Sequence, residues 1–377
     1  MKDCSYINCI FIIHLIFLSS CNNGLNEQRN FNKTYSELLS KYAPDESLSI
    51  NEIYLKTKDG KNFIIGKTNE KEIYQSLKQY SDSMSYQFLV KMLPDSSFQD
   101  SIYGIVNLSV TALREKPKHS SQMVDQAILG NYVRLYEKID DWYLCQTEYN
   151  YVGWINETAI HLCDENTLAL WTTNSLRIIS VLNSTLYSEP DKSSLPVSDL
   201  VLNNIIQKID VMNDWSKFIL PDGRIGFLPN SDFNIIKIEE NNDSDIKIIE
   251  KAKSLLGTPY LWGGNSTKGN DCSGFTQLLF KSEGISLPRD ARQQASLGKE
   301  ININGLLLGD LLFFGNGEKI THVGISLGQY DYIHQGGKVE IHSLDKKSNI
   351  YNKYRAKTFM FAKRILSKNI LYPSIKS

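Results

Sequence analysis

Residues 257–284 read GTPYLWGGNSTKGNDCSGFTQLLFKSEG, a glycine-rich approach (Gly263, Gly264, Gly269) that becomes an apolar-periodic segment at Cys272. Phe275, Leu278 and Leu279 recur at i, i+3 and i+4, and Gly284 supplies a stop, so the spacing predicts a helix opening at or just after Cys272. The thiol then sits at a helix N-terminus. Unpaired N–H groups and the positive end of the helix dipole there favour thiolate, and are expected to move the pKa from ~8.5 toward neutrality. A cysteine so placed is a candidate nucleophile.

Its base is sought about fifty residues on, in THVGISLGQYDYIHQGG (Thr321 to Gly337). Val323, Ile325 and Leu327 alternate with His322, Gly324 and Ser326, which is a strand with one apolar face, and Tyr332 to His334 reads as a second strand. A hairpin folded symmetrically about Gly328 would set His322 directly opposite His334, with Cβ atoms ~4.5–5.5 Å apart. One imidazole is then a general base and the other fixes its tautomer, a Cys-His-His relay. Singly, each residue has a plainer reading as a buried thiol or a packed histidine; it is their joint geometry that favours catalysis. No CxxC, HxxxH or HExxH spacing occurs, so neither a metal nor another cofactor is expected, and His342, outside the hairpin symmetry, reads as a bystander.

The pieces GTPYLWGG, DCSGF, LPRDA, GDLLFF and THVGI, in this order over roughly the last third of the chain, resemble the NlpC-type cell-wall cysteine peptidases, a papain-like family. The resemblance implies Cys272 as nucleophile, His322 as base, His334 as third member and the Tyr260 hydroxyl near the oxyanion. A phenol beside helix-start N–H groups suits that last role, though Tyr260 reads equally as a packed aromatic after a proline turn. Asp271 and Ser273 flank the nucleophile as candidate substrate contacts and Trp262 as a subsite wall; helix cap and core aromatic are the alternatives. Asp290 has capping-box spacing with Gln293, whereas the family reading has it hold a substrate amine. Many relatives carry a hydroxyl residue after this aspartate; here it is Ala291.

Upstream lies an internal repeat. LREKP (Leu113 to Pro117) matches LYSEP (Leu186 to Pro190) at an offset of 73 residues, which also relates Ser120-Ser121 to Ser193-Ser194, Asp141-Trp142 to Asp214-Trp215 and Val152-Gly153-Trp154 to Ile225-Gly226-Phe227. Short β-rich runs punctuated by turns such as Asp222-Gly223 indicate two small barrels, and the pattern resembles bacterial SH3-like domains. Tandem domains of this kind ahead of such a catalytic domain resemble the γ-D-glutamyl-L-diamino acid endopeptidases. That resemblance implies a barrel carboxylate and tyrosine, matched here to Glu115 and Tyr151, that close the site around a free N-terminal L-Ala. Spacer or wall-binding module is the blander reading of the barrels.

At 377 residues two to four domains are expected, and a formal net charge of −1 with interspersed signs argues against a nucleic-acid partner. The apolar run Cys9 to Leu18 is too short to span a bilayer and fits a signal-peptide core. LSSC (Leu18 to Cys21) resembles a bacterial lipobox, which implies lipid attachment at Cys21 and an exported, periplasmic, membrane-anchored protein; a secretion signal without lipidation is the alternative. Cys145 and Cys163 read most simply as buried thiols, with a bridge between them left open.

The expected order is a signal peptide (1–21), a tether and short helical region (22–100) with helical spacing at Glu70 to Gln79 and Met84 to Leu93, SH3-like barrels (101–163 and 164–238), an acidic linker (239–245) and an α+β papain-like domain (246–377). The reaction expected is hydrolysis of the γ-D-Glu to diamino acid amide in peptidoglycan stem peptides or muropeptides. A lytic endopeptidase on intact wall and a non-catalytic wall-binding lipoprotein stand as alternatives.

Overall fold

The computed structural model describes residues 7–98, 102–173, 176–235 and 244–365, with the side chains of 7–24, 97, 173 and 235 outside that description. The lipidation expected at Cys21 and most of the linker therefore lie outside the described residues. Among the described residues no helix is long and apolar enough to cross a membrane. The chain divides into two compact units, Met1–Phe98 and Gln99–Ser377.

The first unit holds helix α1 (Ile7–Tyr42), strands β1 (Asn51–Lys58) and β2 (Lys61–Thr68), helix α2 (Lys71–Met84) and strand β3 (Gln87–Met92). Asp59 and Gly60, both with positive φ, turn β1 into an antiparallel β2, and β3 returns parallel to β2 after α2. The expectation of a tether and short helical region is corrected here: three strands accompany the helices. Helical spacing at Met84 to Leu93 competes with an alternation of Phe88 and Val90, and the alternation wins because Val90 joins the core with Ile53, Leu55, Ile64, Ile73 and Leu77.

The second unit opens with β4 (Tyr103–Val106), β5 (Val110–Arg114), β6 (Met123–Ile128), β7 (Tyr132–Ile139), β8 (Trp142–Thr147), β9 (Val152–Asn156) and β10 (Ile160–Cys163). After helix α3 (Glu165–Thr173) come β11 (Leu176–Ile179), β12 (Asn183–Tyr187), β13 (Pro196–Val201), β14 (Ile205–Met212), β15 (Trp215–Ile219), β16 (Ile225–Pro229) and β17 (Phe233–Ile235). Every strand of the second set begins 73 residues after its counterpart. The bulge between Leu135 and Glu137 recurs between Lys208 and Asp210, and left-handed Asp140 recurs as Asn213. The strand orders, β10-β4-β7-β8-β9-β5-β6 and its equivalent β17-β11-β14-β15-β16-β12-β13, are the same.

Neither sheet closes into a barrel, which corrects the expectation of two SH3-like β-barrels. In each sheet the first and last strands of the order are edges, and in the first the turn onto β5 rests on a single pair, Arg114 with Trp154. For the first sheet the reason lies in what covers the β6 edge. Asn265 donates to the Gln126 side chain and backbone oxygens, and Arg289 binds Asp125, so a neighbouring segment supplies the partners that a closing strand would have supplied.

The rest of the unit is helix on sheet: α4 (Ser244–Ser254), the short pair β18 (Asn265–Ser266) and β19 (Gly269–Asn270), α5 (Cys272–Lys281), α6 (Ala291–Gln294), β20 (Lys299–Ile301), β21 (Leu308–Gly315), β22 (Ile320–Leu327), β23 (Asp331–Gln335), β24 (Val339–Ser343), α7 (Lys353–Thr358) and β25 (Phe359–Arg364). The six-stranded sheet runs β20-β25-β21-β22-β23-β24. Phe275, Leu278 and Leu279 of α5 pack with Leu311, Phe313, Val323, Ile325 and Ile333 of the sheet, and Leu202 from the second repeat completes this core. The α+β character of the catalytic part is as the sequence pattern predicts.

Candidate active site

Helix α5 begins at Cys272 because Asp271 caps it: its Oδ1 accepts from the Gly274 N–H at 2.8 Å. The cap is itself held. Arg289, 2% exposed, grips Asp271 with both terminal nitrogens at 2.5 and 3.1 Å, reaches Ser273 Oγ at 3.1 Å, and gives its Nε to Asp125 of β6 at 2.6 Å. Asp125 also accepts from the Tyr149 hydroxyl at 2.5 Å. Asp271 and Ser273 thus have their polar atoms engaged in fastening the nucleophile's helix to the first sheet module. Arg289 and Asp125 carry that fastening and were not singled out from sequence; a buried arginine within LPRDA was the available signal.

Cys272 is half-buried, and the backbone N–H groups of Val323 and Ser273 act to favour its thiolate. Burial, then the Asp271 charge, pushes the thiol up to about 11, so the expected shift toward neutrality is corrected: desolvation outweighs the helix start. Burial also holds His322 well below the ordinary imidazole value, with the Arg355 guanidinium and His334 adding to the effect. Both shifts favour the uncharged forms, thiol and neutral imidazole.

The hairpin register differs from the expected one. Ile325 pairs with Ile333 and Ser326 with Tyr332, so the fold point is Gln329, left-handed like Gly328, rather than Gly328 itself. His334 therefore lies across from Gly324 and diagonal to His322. The rings still meet, with His322 Nε2 2.9 Å from His334 Nδ1 and the planes 87° apart, because Gly324 has no side chain in the way: a Cβ there would come within 3.1 Å of His334 Cβ. Both rings are buried, 4% and 1% exposed. His342 is no bystander: His334 Nε2 lies 2.9 Å from His342 Nδ1, making three imidazoles in series. With Nε2 of His322 so engaged, Nδ1 is the nitrogen left for the thiol. The neutral chain then runs one way, His322 Nε2–H to His334 Nδ1 and His334 Nε2–H to His342 Nδ1.

Tyr260 is half-buried, with its hydroxyl pushed up by burial and then by the charge of Cys272. Trp262 is 61% exposed. Asp290 heads α6 in a capping box with Gln293, and its Oδ1 accepts from the Tyr151 hydroxyl at 3.4 Å. Tyr151 comes from the first sheet module, so that contact crosses onto the catalytic part. Glu115 is exposed on the β5–β6 connection, the hairpin whose Met123 carbonyl lies against Gly263. Arg355 of α7 faces the relay and the thiol together; it lies in no motif read from the sequence. A small crevice of about 30 Å³ lined by Glu148, Tyr149, Gln277 and Lys281 does not include Cys272. Cys145 and Cys163 are both free and buried.

Residues 257–364 match the NlpC/P60 family and residues 113–160 the bacterial dipeptidyl-peptidase Sh3 domain. The chain is 30% identical over 268 residues to dipeptidyl-peptidase 6 of Lysinibacillus sphaericus, covering 68% of this chain and 96% of that one. The chain belongs to the NlpC/P60 family. A second relative, gamma-D-glutamyl-L-lysine dipeptidyl-peptidase of Bacillus subtilis, is 33% identical over 209 residues, 54% of this chain and 66% of the relative. Among solved structures, an NlpC/P60 family protein from Bacillus cereus superposes with a TM-score of 0.61 at 23% identity, covering 70% of this chain and 99% of that one, which shows a shared fold. Membership makes the chain a cysteine-type hydrolase.

Proposed function

We propose that this NlpC/P60 enzyme acts on peptidoglycan stem peptides and cleaves the amide between γ-D-Glu and the L-diamino acid in fragments with a free N-terminal L-Ala. One observation carries the finer part: the Tyr151 hydroxyl of a separate sheet module reaches Asp290 beside the nucleophile's helix. A wall from outside the catalytic fold suits a short substrate that ends there. Carboxylates at Asp290, which also pairs with Arg292, and at the exposed Glu115 suit its ammonium, whose charge acylation would abolish. The names of the relatives that act on gamma-D-glutamyl-L-lysine point the same way.

In the reaction, Cys272 Sγ attacks the γ-carbonyl carbon as its proton passes to His322 Nδ1, while His334 steadies the ring. The oxyanion takes N–H groups at the start of α5 and the Tyr260 hydroxyl. His322 returns the proton to the leaving diamino acid amine; it then deprotonates the water that clears the acyl-enzyme. Trp262 lines the approach. Export and lipid attachment at Cys21 belong to the same reading, resting on LSSC; palmitate labelling lost in Cys21→Ala is the expected result.

Mass spectrometry of products from L-Ala-γ-D-Glu-L-Lys, with and without an acetylated amine, tests the reading. The free peptide should be cut, the acetylated one at least tenfold more slowly, and neither by Cys272→Ala. Equal turnover defeats the free-amine proposal. Solubilised sacculi with an intact tripeptide would replace it by a lytic endopeptidase, and wall binding with no hydrolysis at all by a binding lipoprotein.

A further inference from the structure

Beyond the relay, strands β23 and β24 bring together a second set of donors. His334 pairs across the ladder with Glu340 and Tyr332 with His342, so His334, Glu340 and His342 project from one face. One ligand atom from each lies within 4.8 Å of the other two. Gly336 makes room for them: a Cβ there would come within 2.9 Å of both Glu340 Oε1 and His334 Cε1. Glu340 and His342 are half-buried, which leaves a route for an ion. Two imidazoles and a carboxylate, with a fourth position open, are a zinc-class donor set. No sequence spacing announces it because the strand register, not a helix repeat, builds it.

We propose that His334, Glu340 and His342 bind a divalent zinc-class ion, and that its occupation switches off the relay in which the functional reading places His322. The ion would take the place of the proton between His334 Nε2 and His342 Nδ1, now 2.9 Å apart. Two nitrogens bound tetrahedrally to zinc stand about 3.3 Å apart, so the rings separate by a few tenths of an ångström. Glu340 supplies negative charge against the nearby Arg355 guanidinium. With its Nε2 on the ion, neutral His334 carries its proton on Nδ1, pointing at His322 Nε2. That nitrogen must then accept, so the His322 proton moves from Nε2 to Nδ1. No proton is gained or lost over the three rings, yet the nitrogen that should take the thiol proton is now occupied. The ion inhibits without touching the sulfur.

Zinc titration of the full-length Cys272→Ala protein against a chromogenic chelator tests the site with the rival thiol ligand removed. One equivalent should bind, at least tenfold more weakly in the double variants that add Glu340→Gln or His342→Ala. In the unmodified chain, zinc should slow stem-peptide hydrolysis, a chelator should restore it, and Glu340→Gln should bring the ratio of rates without and with zinc toward one. No binding by Cys272→Ala, or binding indifferent to Glu340→Gln, overturns the proposal. If the unmodified chain hydrolyses no stem peptide, the functional reading fails while the titration still decides the site.

Discussion

For a proton to leave Cys272, His322 must be neutral, and what surrounds its ring decides the pH at which that holds. Burial lowers the imidazole well below its ordinary value, and the Arg355 guanidinium and the His334 ring act in the same direction. Protonation therefore sets in only below pH ~6.5, and the acid limb of kcat/KM is expected there. Replacing Arg355 by Met removes a positive charge, raises the imidazole pKa and should move that limb upward; an unmoved limb would show that Arg355 does not act on the ring. His342 works through His334. His342→Ala strips the acceptor from His334 Nε2–H, so kcat should fall about tenfold at constant KM and His342→Asn should recover part of it. At this scale Cys272, His322 and His334 were legible as residue types in pattern. Arg355 and His342 were not, because their roles depend on a ladder register and a helix packing that a single strand pattern does not encode.

At the scale of elements, the hairpin of β22 and β23 shows how a pairing two residues off the expected one keeps both rings on one face and still joins them. The turn uses three residues with Gln329 left-handed, where a symmetric fold about Gly328 had been read. The diagonal contact survives only while position 324 lacks a side chain. Gly324→Ala, whose Cβ would meet His334 Cβ at 3.1 Å and the Ile333 carbonyl at 3.2 Å, should cost about 1–3 kcal/mol and cut hydrolysis tenfold or more. Denaturation and rate measurements check both; an unimpaired rate would mean that register does not set the ring contact. The start of helix α5 was readable to within a residue because its cap and apolar spacing are local, while its end falls at Lys281, short of the glycine at 284. The edges of the two seven-stranded sheets were not readable, since what covers β6 comes from Asn265 and Arg289, more than a hundred residues away.

Over the whole molecule, Arg289 joins parts that the sequence presents as separate domains. Its guanidinium lies between Asp125 of the first sheet module and Asp271 at the nucleophile's helix, and Leu202 of the second repeat fills the catalytic core. Arg289→Met would leave two buried carboxylates without their cation, a loss of about 3–5 kcal/mol. Urea unfolding of a chain from residue 102 onward should then shift as one cooperative transition; separate transitions for the sheet modules and the catalytic part would contradict this coupling. The doubled modules carry one further consequence. Copies that agree in strand spacing, bulge and turn are interchangeable in outline, so a strand from one copy fits the slot of the other while the chain is still assembling. Only side-chain divergence, Glu115-Lys116 against Ser188-Glu189 among others, discriminates between the two slots. Renatured chains should accordingly include a slow, concentration-independent fraction with exchanged strands, visible by stopped-flow fluorescence, which shrinks when the two copies are made less alike.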